Sequence, residues 1–157
     1  MSELSHLGPD GRATMVDVSG KAVTDRRAVA SASLRLSAEA MAAVKDGNSK
    51  KGDIVRTAEL AGIMAAKRTA ELIPLCHPLP LDDVSVEIVL RPEDHRIEVR
   101  ASAATHGRTG VEMEAMTAAS VAALTLYDMV KAVDPKAVIE TVRVEAKAGG
   151  KSGDWSR

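Results

Sequence analysis

Asp128 and Lys131 stand three positions apart near the end of the run 111–132, VEMEAMTAASVAALTLYDMVKA. On a helix that spacing puts an acid and a base on one face. A carboxylate near a helix C-terminus is disfavoured by the helix dipole, so Asp128 needs a reason to be there. Two readings stay open: a plain ion pair, or an acid and a base kept for proton transfer. A second cluster is Lys50-Lys51-Gly52, just before Asp53, which can cap a helix starting at Ile54. Cations and a glycine before a helix start suit a bound anion; the alternative is a solvated turn. Cys76 and His77 sit within IPLCHPLPL, residues 73–81. Adjacent side chains usually diverge, so a shared metal or a Cys–His nucleophilic pair is not expected. Pro74, Pro78 and Pro80 stiffen the loop, which can present His77 as a ligand wall or pack it as an ordinary imidazole. The tail AGGKSGD, residues 148–154, can close over phosphates as a backbone nest or stay a frayed end. It is not a Walker A motif, because Glu145 stands where the first glycine is required.

These residues need elements to position them. The run from Val111 to Ala132 predicts one helix of about 33 Å. It is uncharged from Ala115 to Tyr127, which predicts burial on most sides. Glu114 and Asp128 would then lie about 21 Å apart along its axis, too far to share one small ligand within one chain. Alternating patterns predict strands at Thr14 to Ser19, Arg26 to Ser37 and Ala137 to Lys147. A hairpin is predicted from Asp82 to Leu90 and His95 to Ala103. Ser37 can cap a helix from Ala38 to Lys45, and Asp53 one from Ile54 to Leu72. Residues 105–110 read as a flexible lead into the long helix. The order β-β-α-α-β-β-α-β predicts an α+β fold, most compactly a ferredoxin-like antiparallel sheet with helices packed on one face. The long helix is more apolar than one sheet face needs, which points to an oligomer.

Composition narrows the function. A chain of 157 residues supports one domain, residues 1–157, with 1–12 and 148–157 expected to be mobile. With no Phe, one Tyr and one Trp, base stacking is a poor prospect. A net charge of −1 gives no global footprint for nucleic acid. One cysteine excludes an internal disulfide and a cysteine-rich zinc site. No leader and no membrane-spanning run are recognisable, which predicts a cytoplasmic protein without a membrane partner.

Several blocks together are similar to one family. They are MVDVS (15–19), KGD (51–53), AAKRT (65–69), IPLCHPL (73–79), TGVEMEA (109–115), ALT (123–125), YDM (127–129), KA (131–132) and GGKSG (149–153). The chain resembles the MoaC family, the cyclic pyranopterin monophosphate synthases, from about residue 4 to residue 154. One departure is Lys50, where the family pattern has His. The resemblance implies a ferredoxin-like fold and a homohexamer, a trimer of dimers with sites at the dimer interface. It implies a small-molecule substrate derived from GTP, 3′,8-cyclo-7,8-dihydro-GTP, converted to cyclic pyranopterin monophosphate and pyrophosphate in molybdenum cofactor biosynthesis. It assigns catalysis to Lys51, Asp128 and Lys131, without saying which is the proton donor. It assigns substrate binding to Leu75, Cys76, His77, Met113 and Glu114. Lys67, Arg26, Lys21, Lys147 and Lys151 follow as weaker candidates for the triphosphate. The chemistry needs general acids, bases and placed cations, with no metal ligand set or cofactor implied. A non-catalytic nucleotide sensor on the same fold is the rival, and the trio Lys51, Asp128 and Lys131 speaks against it.

Overall fold

The computed structural model describes residues 6–8, 10–47 and 53–157. Strand β1 is Thr24–Arg35, followed by helices α1 (Ala38–Lys45), α2 (Ile54–Ala66) and α3 (Thr69–Leu72). A hairpin follows, β2 (Asp83–Arg91) and β3 (Arg96–Gly107), then helix α4 (Glu112–Val130) and strand β4 (Val138–Ala148). A short strand β5, Trp155–Ser156, closes the chain. The sheet is antiparallel throughout, in the order β2-β3-β1-β4-β5. The four long strands and their helical connections form the ferredoxin-like α+β arrangement expected from the sequence.

Alternation decides which face is buried. Ala28, Ala30, Ala32 and Leu34 of β1 and Ile97, Val99, Ala101 and Ala103 of β3 point into the core. Ala115, Ala118, Ala119, Ala122 and Ala123 line the packed side of α4 and are fully buried. Small residues on both layers let the helix lie close to the sheet. Gly62 brings α2 equally close to α4, since a Cβ there would sit 2.9 Å from the Ala118 carbonyl oxygen. The other sheet face is polar and carries ion pairs such as Arg35–Glu140 (2.9 Å) and Arg91–Glu98 (3.0 Å).

Three expectations change. Residues Thr14 to Ser19 form no strand, because the Ser19 N–H donates to Asp17 Oδ1 at 2.8 Å and the Lys21 N–H to the Val18 carbonyl. An Asp bonding the backbone two positions on turns the chain instead of extending it. The helix expected to run to Leu72 breaks after Ala66. There the buried Thr69 hydroxyl donates to the Ala66 carbonyl, and the Arg68 N–H tightens onto Ala65. Residues 105–107 are strand rather than flexible lead. Thr105 Oγ1 donates to the Pro80 carbonyl, and the His106 N–H to Asp82 Oδ2, which fasten the strand end to the Pro-rich loop. In the C-terminal segment, Trp155 pairs with Lys147 and Ser156 with Ala146 at the edge of β4.

Strand β4 carries two bulges that periodicity did not show. Its register to β1 shifts between Ser33 and Leu34 and between Val29 and Ala30. Glu140 and Glu145 are the extra residues, left between paired neighbours. The second bulge reverses the facing of the residues beyond it. Val142 and Val144 pair with Ala32 and Ala30, whereas Lys147, not Ala146, pairs with Ala28. Lys147 therefore points to the helix side of the sheet, over the start of α4.

Candidate active site

The cleft at the start of α4 is built from two strand ends, three loop segments and the first residue of the helix. It is open, about 1010 Å³, and its walls include Lys21, Arg26, Lys147 and Lys151. Arg26 lies on the same β1 face as Ala28 and Ala30, and its Nε donates to the Gly107 carbonyl at 2.9 Å. Lys147 Nζ donates to Glu112 Oε1 at 2.8 Å and to Ser152 Oγ at 2.8 Å. Gly149 and Gly150 both have positive φ, and a Cβ on Gly150 would collide with the Arg26 guanidinium. Only glycine lets the tail fold down against that cation. The Gly149 N–H donates to Asp154 Oδ1 at 2.8 Å, which closes the loop on itself. The four cations make this a place for a polyanion.

A smaller pocket of about 200 Å³ adjoins it and shares Thr109, Gly110 and Glu112 as a common wall. Leu75, Cys76, His77, Met113 and Glu114 line it, so the five residues assigned to substrate binding come together. Lys67 borders a third recess, of about 320 Å³, that shares His77, Leu79 and Glu114 with the second. Glu114 is only 4% exposed. Burial pushes its carboxyl up to about 7; its own backbone N–H opposes the shift, and the negative charge of Glu112 adds to it. Burial also raises the Cys76 thiol, with Glu114 as the second cause. Asp17 is held low chiefly by the Ser19 backbone N–H, with a small contribution from His77. The turn at residues 17–19 therefore lies beside the Pro-rich loop.

Asp128 and Lys131 do not reach this place. They sit at the far end of α4, which is unbroken from Glu112 to Val130. Lys131 Nζ meets Asp128 Oδ1 at 2.6 Å, with both side chains about half exposed. The Asp128 carboxylate raises the Lys131 ammonium. Lys51 lies outside the described residues. Glu112 and Ser152 are not among the site residues that the sequence resemblance assigns. Glu112 reads as an acid that suits a helix start, and Ser152 as part of a tail that is either a phosphate nest or a frayed end; the only signal is their place within two recognisable blocks. Among the described residues, no group of three or more His, Cys, Asp or Glu could hold a metal ion.

Fold and cleft define an α+β protein of ferredoxin-like type with a cationic cleft where the long helix begins. The particular family follows from sequence comparison: the MoaC family profile matches residues 15–150, and the chain belongs to that family. A relative from Nostoc sp., named cyclic pyranopterin monophosphate synthase, is 54% identical over 154 residues, covering 98% of this chain and 92% of the relative. Relatives of the same name from Brucella ovis and Bordetella avium are each 55% identical. They cover 98% and 97% of this chain and 93% and 94% of their own lengths.

Proposed function

We propose that this chain is a cyclic pyranopterin monophosphate synthase of molybdenum cofactor biosynthesis. It converts 3′,8-cyclo-7,8-dihydro-GTP to cyclic pyranopterin monophosphate and pyrophosphate. The observation that carries the proposal is the continuity of two unlike pockets. A cleft lined by Lys21, Arg26, Lys147 and Lys151 shares a wall with a pocket lined by His77 and a buried carboxyl. The first suits a triphosphate and the second a purine-derived ring with polar edges.

The reaction makes two demands. Rearranging the ring moves protons on and off nitrogen and oxygen, which needs groups able to donate and accept near neutral pH. A Glu114 carboxyl at about 7 meets that condition. Closing the cyclic phosphate forms an oxygen–phosphorus bond at the α-phosphorus and breaks the bond to the departing pyrophosphate. Cations placed around the phosphates stabilise the charge that moves onto the leaving group. Lys51, Asp128 and Lys131 are the proposed catalytic residues. Leu75, Cys76, His77, Met113 and Glu114 hold the ring, while Lys67, Arg26, Lys21, Lys147 and Lys151 serve the phosphates.

This reading brings Asp128 and Lys131 to the site from a second subunit. We propose a homohexamer, a trimer of dimers, with each site shared across a dimer contact. The exposed apolar residues Leu60 and Met64 on α2 and Leu124 on α4 support an assembled state. Among the described residues no helix is long and apolar enough to cross a membrane, which fits the cytoplasmic location we propose. The direct test is to incubate purified protein with 3′,8-cyclo-7,8-dihydro-GTP and measure pyrophosphate and product together. One pyrophosphate per cyclic pyranopterin monophosphate is expected. No release of pyrophosphate removes the proposal.

A further inference from the structure

A carboxylate on the wall of a cationic cleft repels the anion that the cleft is built to take. Glu112 is in that position, beside Lys21, Arg26, Lys147 and Lys151. Its helix position gives a partial reason, since acids suit a first turn. The direction of its side chain shows a stronger one. The carboxylate folds back over Gly110, where any Cβ would overlap it. From there it accepts from Lys147 Nζ at 2.8 Å, across 35 positions of sequence. The pair is well shielded, with side-chain exposures of 18% for Lys147 and 29% for Glu112. Three separate features bring it about: the bulge at Glu145 that turns Lys147 inward, the missing side chain at Gly110, and the α4 start that carries Glu112.

We propose that Glu112 is a positioning residue that acts through Lys147, fixing its ammonium as a donor to the polyphosphate end of the substrate. An ammonium has three N–H donors. Among the described residues two are committed, one to Glu112 and one to Ser152, which also ties the glycine-rich tail to the cleft. The third is left for a phosphate oxygen. A lysine on a four-carbon stem otherwise samples many positions, and two fixed bonds remove that freedom before the ligand arrives. Lys147 thus recognises an anion as a placed donor instead of a diffuse charge. The inference rests on the proposed function for its substrate, while the pairing itself can be tested without turnover.

The probe is inorganic tripolyphosphate, titrated calorimetrically into wild type, Glu112→Ala, Lys147→Ala and the double variant. If Glu112 acts through Lys147, each single change weakens binding about tenfold and the double change weakens it no further than the worse single. Glu112→Gln keeps an oxygen acceptor without the charge, so it falls between wild type and Glu112→Ala. In turnover Glu112→Gln raises KM and leaves kcat within about twofold, as expected of a binding role. The inference fails if Glu112→Ala binds tripolyphosphate as well as wild type or better, if the two losses multiply, or if wild type binds none. It also fails if Glu112→Gln lowers kcat with KM unchanged. Should Glu112→Ala not fold, the same cycle is run with Glu112→Gln and Lys147→Met. A wild type that binds tripolyphosphate yet releases no pyrophosphate from the cyclic dihydro-GTP overturns the proposed function. The Glu112–Lys147 coupling is then decided by the binding cycle alone.

Discussion

Lys131 caps the end of α4 and holds the Asp128 carboxylate at 2.6 Å, about one helical turn back along the same face. Both side chains are about half exposed, and an exposed i, i+3 pair contributes little to stability. If the pair is retained for chemistry, its loss should be seen in rate and not in folding. Lys131→Ala and Asp128→Asn are expected to lower kcat at least a hundredfold while shifting Tm by no more than about 2 °C. Lys51→Ala should behave alike. Kinetics and thermal melts on the same preparations check this. Near-normal turnover in any of the three takes that residue out of the mechanism.

Glu114 ties the site to pH. Its folded carboxyl is raised by burial from the ordinary 4.5 to about 7, so folding favours the neutral form. That stabilisation is complete below pH 4.5 and is lost as pH rises through about 7. Cys76, His77 and Glu112 line the same pocket. The negative charge of Glu112 is one of the causes of the shift, so Glu112→Gln should lower the Glu114 value and move the transition to lower pH. Glu114→Gln should remove this part of the pH dependence altogether. Denaturant unfolding of wild type and both variants between pH 5 and pH 8.5 gives the comparison. A wild-type profile identical to that of Glu114→Gln shows that the carboxyl is already ionised throughout.

Gly62 tests the close approach of the two main helices. A Cβ there would lie 2.9 Å from the Ala118 carbonyl oxygen and 3.0 Å from Val86 Cγ2. One of these neighbours is backbone, so the helices must separate to admit a methyl group. Gly62→Ala is expected to destabilise by roughly 1–3 kcal/mol, despite the better helix propensity of alanine. Urea unfolding measures the change. A stabilised variant means that α2 can move away without loss.

How much of this was legible in the sequence depended on the range of the signal. The period-2 pattern of residues 84–90 and the uncharged run from Ala115 to Tyr127 placed the hairpin and α4 within a few residues, because each is a local consequence of burial. Ser37 and Asp53 marked two helix starts, and both side chains accept the backbone N–H three residues on, from Ala40 and Arg56. The misses came from side chains competing with backbone patterns: Asp17 turning an apparent strand, and Thr69 ending α2 early. The bulge at Glu145 lies beyond sequence periodicity, since an inserted residue is defined only against its partner strand. The residue types of the site were visible in the blocks IPLCHPL and TGVEMEA. The Glu112–Lys147 pair was not, because it depends on that bulge and on the space over Gly110.

The longest-range prediction concerns Glu114 and Asp128. The helix between them is continuous, so 14 positions put them about 21 Å apart within one chain. Glu114 lines the pocket beside the cationic cleft and the recess next to it, and Asp128 lines neither. If both serve one substrate, the start of one α4 must meet the end of a partner's α4. A two-fold axis delivers that, because a dimer contact pairs residue i with j and j with i. Subunit mixing decides the matter. Glu114→Ala and Asp128→Ala proteins, each expected to be nearly inactive, are dissociated, mixed and reassembled. Every mixed dimer then holds one site with both defects and one with neither. Random pairing makes half the dimers mixed, and half of their sites are intact, so activity should recover to about a quarter of wild type. Mixed dimers that stay as inactive as the parents would show that the two residues do not act in trans. Asp128 and Lys131 would then form a surface ion pair at the end of α4, and the proton transfers would fall to the groups around Glu114.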